Sequence, residues 1–189
     1  LFSLLAEKCQ LVRYDERGIG LSDRDIANFS FAAFVDDLET VVDDCGLQRF
    51  ALLGISQRAP VAIAYAVRHA DRVSRLILSG GFAQGWRRRG GAADMARAEA
   101  SITLISQGWG QDNPAARQMF TSLIVPDATL EEMRWLNELE RVSASPENAI
   151  RLLHAIGDID VLDLLPQISV PTLILHSRGD ARVAFEHGL

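Results

Sequence analysis

The strongest chemical signal in this chain is a serine set between a strand-like run and a helix-like run. The segment reads Phe50-Ala-Leu-Leu-Gly54-Ile55-Ser56-Gln57-Arg58-Ala59-Pro60. A hydroxyl on a sharp turn at the carboxyl end of a strand lies where ligands bind in open α/β sheets. Such a turn is strained, so its neighbours must be small, and Gly54 stands two residues before the serine. The helix that follows aims its N-terminal amides at the site and favours developing negative charge. The backbone N–H of Gln57 is then the expected oxyanion donor. Arg58 breaks the G-x-S-x-G pattern, because it stands where the second glycine belongs. Either the turn opens, or Arg58 points outward and the strain is absorbed. A serine between strand and helix also suits a simple helix cap.

The elements that must position Ser56 alternate along the first third of the chain. Phe2–Lys8 reads as the end of a helix, and Gln10–Tyr14 as a short strand stopped by Asp15-Glu16-Arg17-Gly18. Phe31, Phe34, Val35, Leu38, Val41 and Val42 recur near a 3.6-residue period, which predicts a helix over Phe31–Cys45. Ser30 can cap it and Gly46 can end it. Phe50–Leu53 is a strand, Ala59–His69 a helix and Val73–Leu78 a third strand, ended by Ser79-Gly80-Gly81. Strands alternating with helices imply parallel pairing and right-handed crossovers. Between Gln84 and Leu165 strand signals vanish, and helices are expected at Ala92–Ser106, Pro114–Ile124, Leu130–Val142 and Pro146–Ile156. Pro171–His176 returns as a fourth strand.

The expected class is therefore α/β: a mostly parallel sheet of about four strands with a helical cap. Residues 1–83 and 166–189 form the core and residues 84–165 the cap insertion. Trp86, Trp109, Phe120, Trp135 and Leu136 offer an apolar acyl pocket, but the aromatics are expected to pack as ordinary cap core. Trp86-Arg87-Arg88-Arg89 reads as a solvated loop.

With 189 residues, 48% of them hydrophobic, the chain can bury a real core. A formal charge of −6 argues against nucleic acid as a partner. No apolar run reaches the roughly 18 residues of a bilayer span. Cys9 and Cys45 lack metal or disulfide spacing and read as reduced thiols in a cytoplasmic protein. His69, His154, His176 and His187 are scattered, so neither a metal nor another cofactor is expected.

Three segments together resemble the α/β-hydrolase superfamily. Tyr14-Asp-Glu-Arg-Gly18-Ile-Gly20-Leu-Ser-Asp23 is similar to the D-x-R-G-x-G-x-S segment after the fourth strand of that fold. Gly54-Ile-Ser56-Gln is similar to its nucleophile elbow, and Pro171-Thr-Leu-Ile-Leu-His-Ser-Arg-Gly179-Asp180 to the strand that ends in its catalytic acid. The wording is similar to bacterial hydrolases that occur alone or fused to helix-turn-helix regulators. The resemblance implies an esterase-like serine hydrolase acting on a small acyl or ester substrate. Ser56 would be its nucleophile and Asp180 the acid that orients a histidine, in the chain order proper to this fold. Gly-Asp after a strand is also an ordinary turn.

The same resemblance places the histidine one helix and one strand beyond the acid, and an oxyanion strand before Leu1. The chain is accordingly expected to be truncated at both ends, with His187 a poor stand-in for the base. His176 is expected to pack or hydrogen-bond, His69 to lie at the surface, and His154 to be structural rather than to line the pocket. Weak ester turnover and self-association through exposed sheet edges follow. The competing reading is a non-catalytic ligand-sensing module of a transcriptional regulator. An aspartate-dependent epoxide or halide hydrolase is disfavoured by the serine itself.

Overall fold

The computed structural model describes residues 2–109, 125 and 127–188. A short helix, α1 (Phe2–Ala6), precedes an irregular loop, and α2 (Phe31–Asp44) follows. The Ser30 side chain accepts from the N–H of Ala33 and so caps α2. The apolar stripe read from the sequence is the buried one: Phe34, Val35, Leu38 and Val42 face the core. Gly46 takes a left-handed φ of 61° just past the helix end, a conformation that suits glycine.

Three parallel strands follow: β1 (Phe50–Ile55), β2 (Val73–Ser79) and β3 (Thr172–Leu175), in spatial order β1-β2-β3. Ile55 pairs with Ser79, and Ser79 with Leu175, so all three strands end level at one edge. Between β1 and β2 runs α3 (Ala59–Arg68). Every residue from Ala59 to Ala66 is buried, since α3 lies against the sheet on one side and α2 on the other. A helix apolar all round needs such a double cover. Burial of its valine and isoleucine contributes roughly 1.5–3 kcal/mol each.

Four helices separate β2 from β3 among the described residues: α4 (Trp86–Arg89), α5 (Ala92–Gly108), α6 (Leu130–Ser143) and α7 (Pro146–Gly157). Thr129 and Glu132 form a reciprocal capping box at the start of α6, and Ser145 caps α7 ahead of Pro146. Ile105, Ala144 and Ala149 make a small core of their own with Trp109. Ile159 and Val161, by contrast, belong to the main core beneath the sheet.

Three expectations need correction. Gln10–Tyr14 is not a strand; the sheet has three strands among the described residues, and this segment enters no ladder. A strand exists only through paired backbone groups, and the apolar side chains here, Val12 and Tyr14, remain 37% and 39% exposed. Trp86–Arg89 is a helical turn and not a loop. Arg87 lies 4.4 Å over the Trp86 ring and bonds Asp158, which ties the turn down. Trp135 is not cap core, being 66% exposed on α6. The helix expected over Pro114–Ile124 lies outside the described residues. No helix among the described residues is long and apolar enough to cross a membrane.

Candidate active site

β1 delivers Ser56 to the carboxyl edge of the sheet, and the backbone reverses there. Ser56 has φ 52°, the single left-handed non-glycine residue among those described. That conformation costs on the order of 1–3 kcal/mol and persists only where the surroundings fix it. Part of the fixing is close packing beneath the turn. A Cβ on Gly54 would lie 2.8 Å from Ala62 Cβ and 2.9 Å from Ala59 Cα. A Cβ on Gly81 would lie 2.3 Å from Ala59 Cβ. Both positions therefore require glycine for the helix to start this close to the strands.

Ser56–Arg58 forms a single 3₁₀ turn that leads into α3, and the N–H of Ala59 donates to the Ser56 carbonyl. Gln57 is the second residue of that turn, so its N–H has no acceptor within the turn. The Ser56 hydroxyl makes no hydrogen bond to another described residue and is half-buried.

Arg58 resolves the question raised by its place in the motif. Its φ of −96° and ψ of −8° are open to any residue, so a glycine is not required there. The turn stays closed. The side chain runs back under the loop, where Nη2 meets Glu16 Oε1 and the guanidinium lies 4.8 Å over the Phe34 ring. Burial pushes the Arg58 pKa down to about 10, against an opposing pull from Tyr14.

Asp180 lies at the same edge, in the loop after β3. Its Oδ1 accepts from the backbone N–H groups of Arg182 (2.8 Å) and Val183 (2.9 Å), so the carboxylate folds its own loop. Its Oδ2 would be 3.4 Å from a Cβ on Gly80, whose φ is 59°. Gly80 and Gly81 thus bridge the two candidates: Gly80 abuts the Asp180 carboxylate, and a Cβ on Gly81 would be 3.8 Å from the Ser56 carbonyl oxygen. Strands β1 and β3 are two spacings, or roughly 10 Å, apart. No hydrogen bond or ion pair joins Ser56 and Asp180 among the described residues.

None of the four histidines contacts Ser56. His69 ends α3, roughly 15 Å along the axis from the turn, and its Nε2 sits 2.9 Å from Glu39. His154 faces Arg87 on the exposed side of α7. His187 is exposed in the turn Phe185–Gly188. His176 packs as expected: its side chain is 3% exposed, its Nε2 lies 2.9 Å from the Val183 carbonyl oxygen, and Asp180 Oδ2 is 3.7 Å away. This last contact was not legible in the spacing and comes from the curl of residues 176–183. Glu140 on α6 and Arg182 beside Asp180 are a further polar pair that sequence reasoning missed. Burial raises Glu140 to about 7, with Arg182 pulling the other way. A groove of about 550 Å³ lined by Tyr14, Arg17, Leu21 and Asp37 lies elsewhere, and neither Ser56 nor Asp180 borders it.

This combination of a parallel sheet, a left-handed serine at its carboxyl edge and an aspartate two strands away can be set beside known proteins. The model for the alpha/beta hydrolase fold matches residues 1–184. The chain belongs to the alpha/beta hydrolase fold family. Among its relatives, the AB hydrolase superfamily protein YisY of Bacillus subtilis is 30% identical over 94% of this chain and 66% of its own length. A 2-hydroxy-6-oxononadienedioate/2-hydroxy-6-oxononatrienedioate hydrolase of a Pseudomonas species is 25% identical over 83% of this chain and 56% of its own length. The solved esterase EaEST of Exiguobacterium antarcticum superposes with a TM-score of 0.78 at 28% identity, covering 92% of this chain and 65% of that one. This alpha/beta hydrolase-fold chain thus spans less than two thirds of the length of these relatives.

Proposed function

We propose that this chain carries the nucleophile and the acid of a serine hydrolase acting on carboxylic esters or related small acyl substrates. The observation that carries the reading is the left-handed Ser56 between a strand and the first turn of a buried helix. A left-handed serine at such a turn supports an exposed hydroxyl, with the Gln57 N–H as the oxyanion donor. In the reaction Ser56 Oγ attacks the acyl carbon, and its proton passes to a base. The carbonyl oxygen becomes an oxyanion held by Gln57 N–H. Collapse expels the alcohol, and water then cleaves the acyl-serine. Asp180, with Oδ1 occupied by its own loop, keeps Oδ2 to hold and orient an imidazolium.

The relatives named as hydrolases and an esterase favour this reading. Because none of the chain's four histidines contacts Ser56, the chain as given should turn over esters slowly. The test is covalent labelling by a fluorophosphonate, mapped by mass spectrometry. Ser56 should label ahead of the surface serines, and Ser56→Ala should abolish that adduct. Labelling spread evenly over surface serines would overturn the proposal.

A further inference from the structure

The strained turn at Ser56 needs something above it as well as the glycines below it. The residue above is Arg58, and its surroundings are built. The Arg58 side chain is 24% exposed and that of its partner Glu16 is 11% exposed. Phe34, buried in α2, closes the guanidinium's other face. Neither Nη1 nor Nη2 makes a hydrogen bond among the described residues, so the group is held by its ion pair with Glu16 and by the Phe34 ring. A desolvated pair of this kind is a weak source of stability, because removing two charges from water offsets their attraction. Its retention calls for another reason.

Glu16 does not stand alone. Its neighbour Arg17 grips Asp37 of α2 through Nε (2.8 Å) and Nη2 (2.6 Å). The loop that continues from them is fastened to α7. Asn148 is the one buried polar residue of the described core, and its Nδ2 donates to the carbonyls of Gly18 (3.1 Å) and Arg24 (2.9 Å). Arg151 donates to the carbonyls of Ile26 and Ala27, both at 2.8 Å. A continuous set of polar contacts thus runs from α7 through the loop and Glu16 to the residue two places after the serine.

We propose that Arg58 is a positioning residue for the nucleophile: clamped between Glu16 and Phe34, it holds the strained turn at Ser56 and ties that turn to α7 through the loop of residues 15–27. A glycine at this position would leave the turn untied to the loop. The proposal rests on Ser56 being the nucleophile for its catalytic meaning, but its mechanical content does not.

The test uses the whole chain and reads the turn directly. The N–H of Ala59, which donates to the Ser56 carbonyl, exchanges with deuterium only when the turn opens. Arg58→Met keeps an apolar stem on Phe34 and deletes the clamp. It leaves Glu16 buried without its partner, so the melting temperature should fall. Under conditions where the variant is fully folded, Ala59 exchange should still speed up by about tenfold or more relative to the amides of the β1–β2 ladder, and fluorophosphonate labelling of Ser56 should slow. Arg58→Lys should restore part of both. Glu16→Gln, which keeps Arg58 but removes the charge it pairs with, should speed Ala59 exchange in the same sense and serves if Arg58→Met does not fold. Ala59 exchange within about twofold of wild type in a folded variant would overturn the proposal. If Ser56 labels in no variant and not in the wild type, the nucleophile reading fails, while Ala59 exchange still decides the role of Arg58.

Discussion

Replacing Glu16 by leucine should destabilise the protein markedly, and replacing Arg58 by methionine as well should restore it. The magnitude follows from burial. Leaving a buried charge without its partner costs about 3–5 kcal/mol in a fully enclosed site. Arg58 keeps 24% of its side-chain exposure, and its Nη1 already lacks an acceptor, so Glu16→Leu alone should cost about 2–4 kcal/mol. For a chain of this size, each kcal/mol lowers the melting temperature by roughly 2–4 °C. In the double variant both desolvation penalties disappear and two apolar side chains meet Phe34. Its stability should lie within about 1 kcal/mol of wild type, or above it. Urea titrations of wild type, both single variants and the double variant give a coupling energy directly. Equal midpoints for wild type and Glu16→Leu would refute the buried pair. A double variant as unstable as Glu16→Leu would show that the loss is one of packing and not of charge.

Three further outcomes are expected. Gly54→Ala forces a methyl against Ala62 and the backbone of Ala59, and should cost about 1–3 kcal/mol in thermal melts while slowing labelling of Ser56. Glu140, raised by burial to about 7 from an ordinary 4.5, binds its proton more tightly folded than unfolded. Stability should therefore be full below about pH 4.5 and fall as pH rises through about 7, by on the order of 1–2 kcal/mol after solvent screening; melts of Glu140→Gln should lack that slope. The edge strand β3 leaves Leu173 and Leu175 on one face and Ile174 on the other about half exposed, at 52%, 49% and 50%. Ile174→Lys should lower any self-association seen by analytical ultracentrifugation, and an unchanged sedimentation profile in an associating wild type would exclude this edge.

Local pattern carried most of the elements that place the site. The 3.6-residue stripe of α2, the apolar runs of β1 and β2, and the small residues of α3 all form as the periodicity implies, because each buries a face that the pattern already marks. The turn at Ser56 was readable for the same reason, since strand, glycine, serine and helix follow one another in the chain. What could not be read joins residues distant in sequence. Glu16 and Arg58 each look like surface charges, and only the approach of the loop to α3 pairs them. Asn148 reads as an ordinary residue in the first turn of α7, yet it holds two loop carbonyls. Gln10–Tyr14 has strand-like residues but enters no ladder, so its composition misleads. Trp135 shows the same limit from the other side: helical spacing does not say which face is covered.

The claim that Ser56 is a built nucleophile is tested most directly by supplying the base from solution. The chain is incubated with p-nitrophenyl acetate over a range of free imidazole, and acetylation is mapped by mass spectrometry. The expected result is acetyl transfer to Ser56 that rises with imidazole, exceeds that at surface serines, and vanishes in Ser56→Ala. Acetylation that ignores imidazole, or that is no faster at Ser56 than elsewhere, would contradict it.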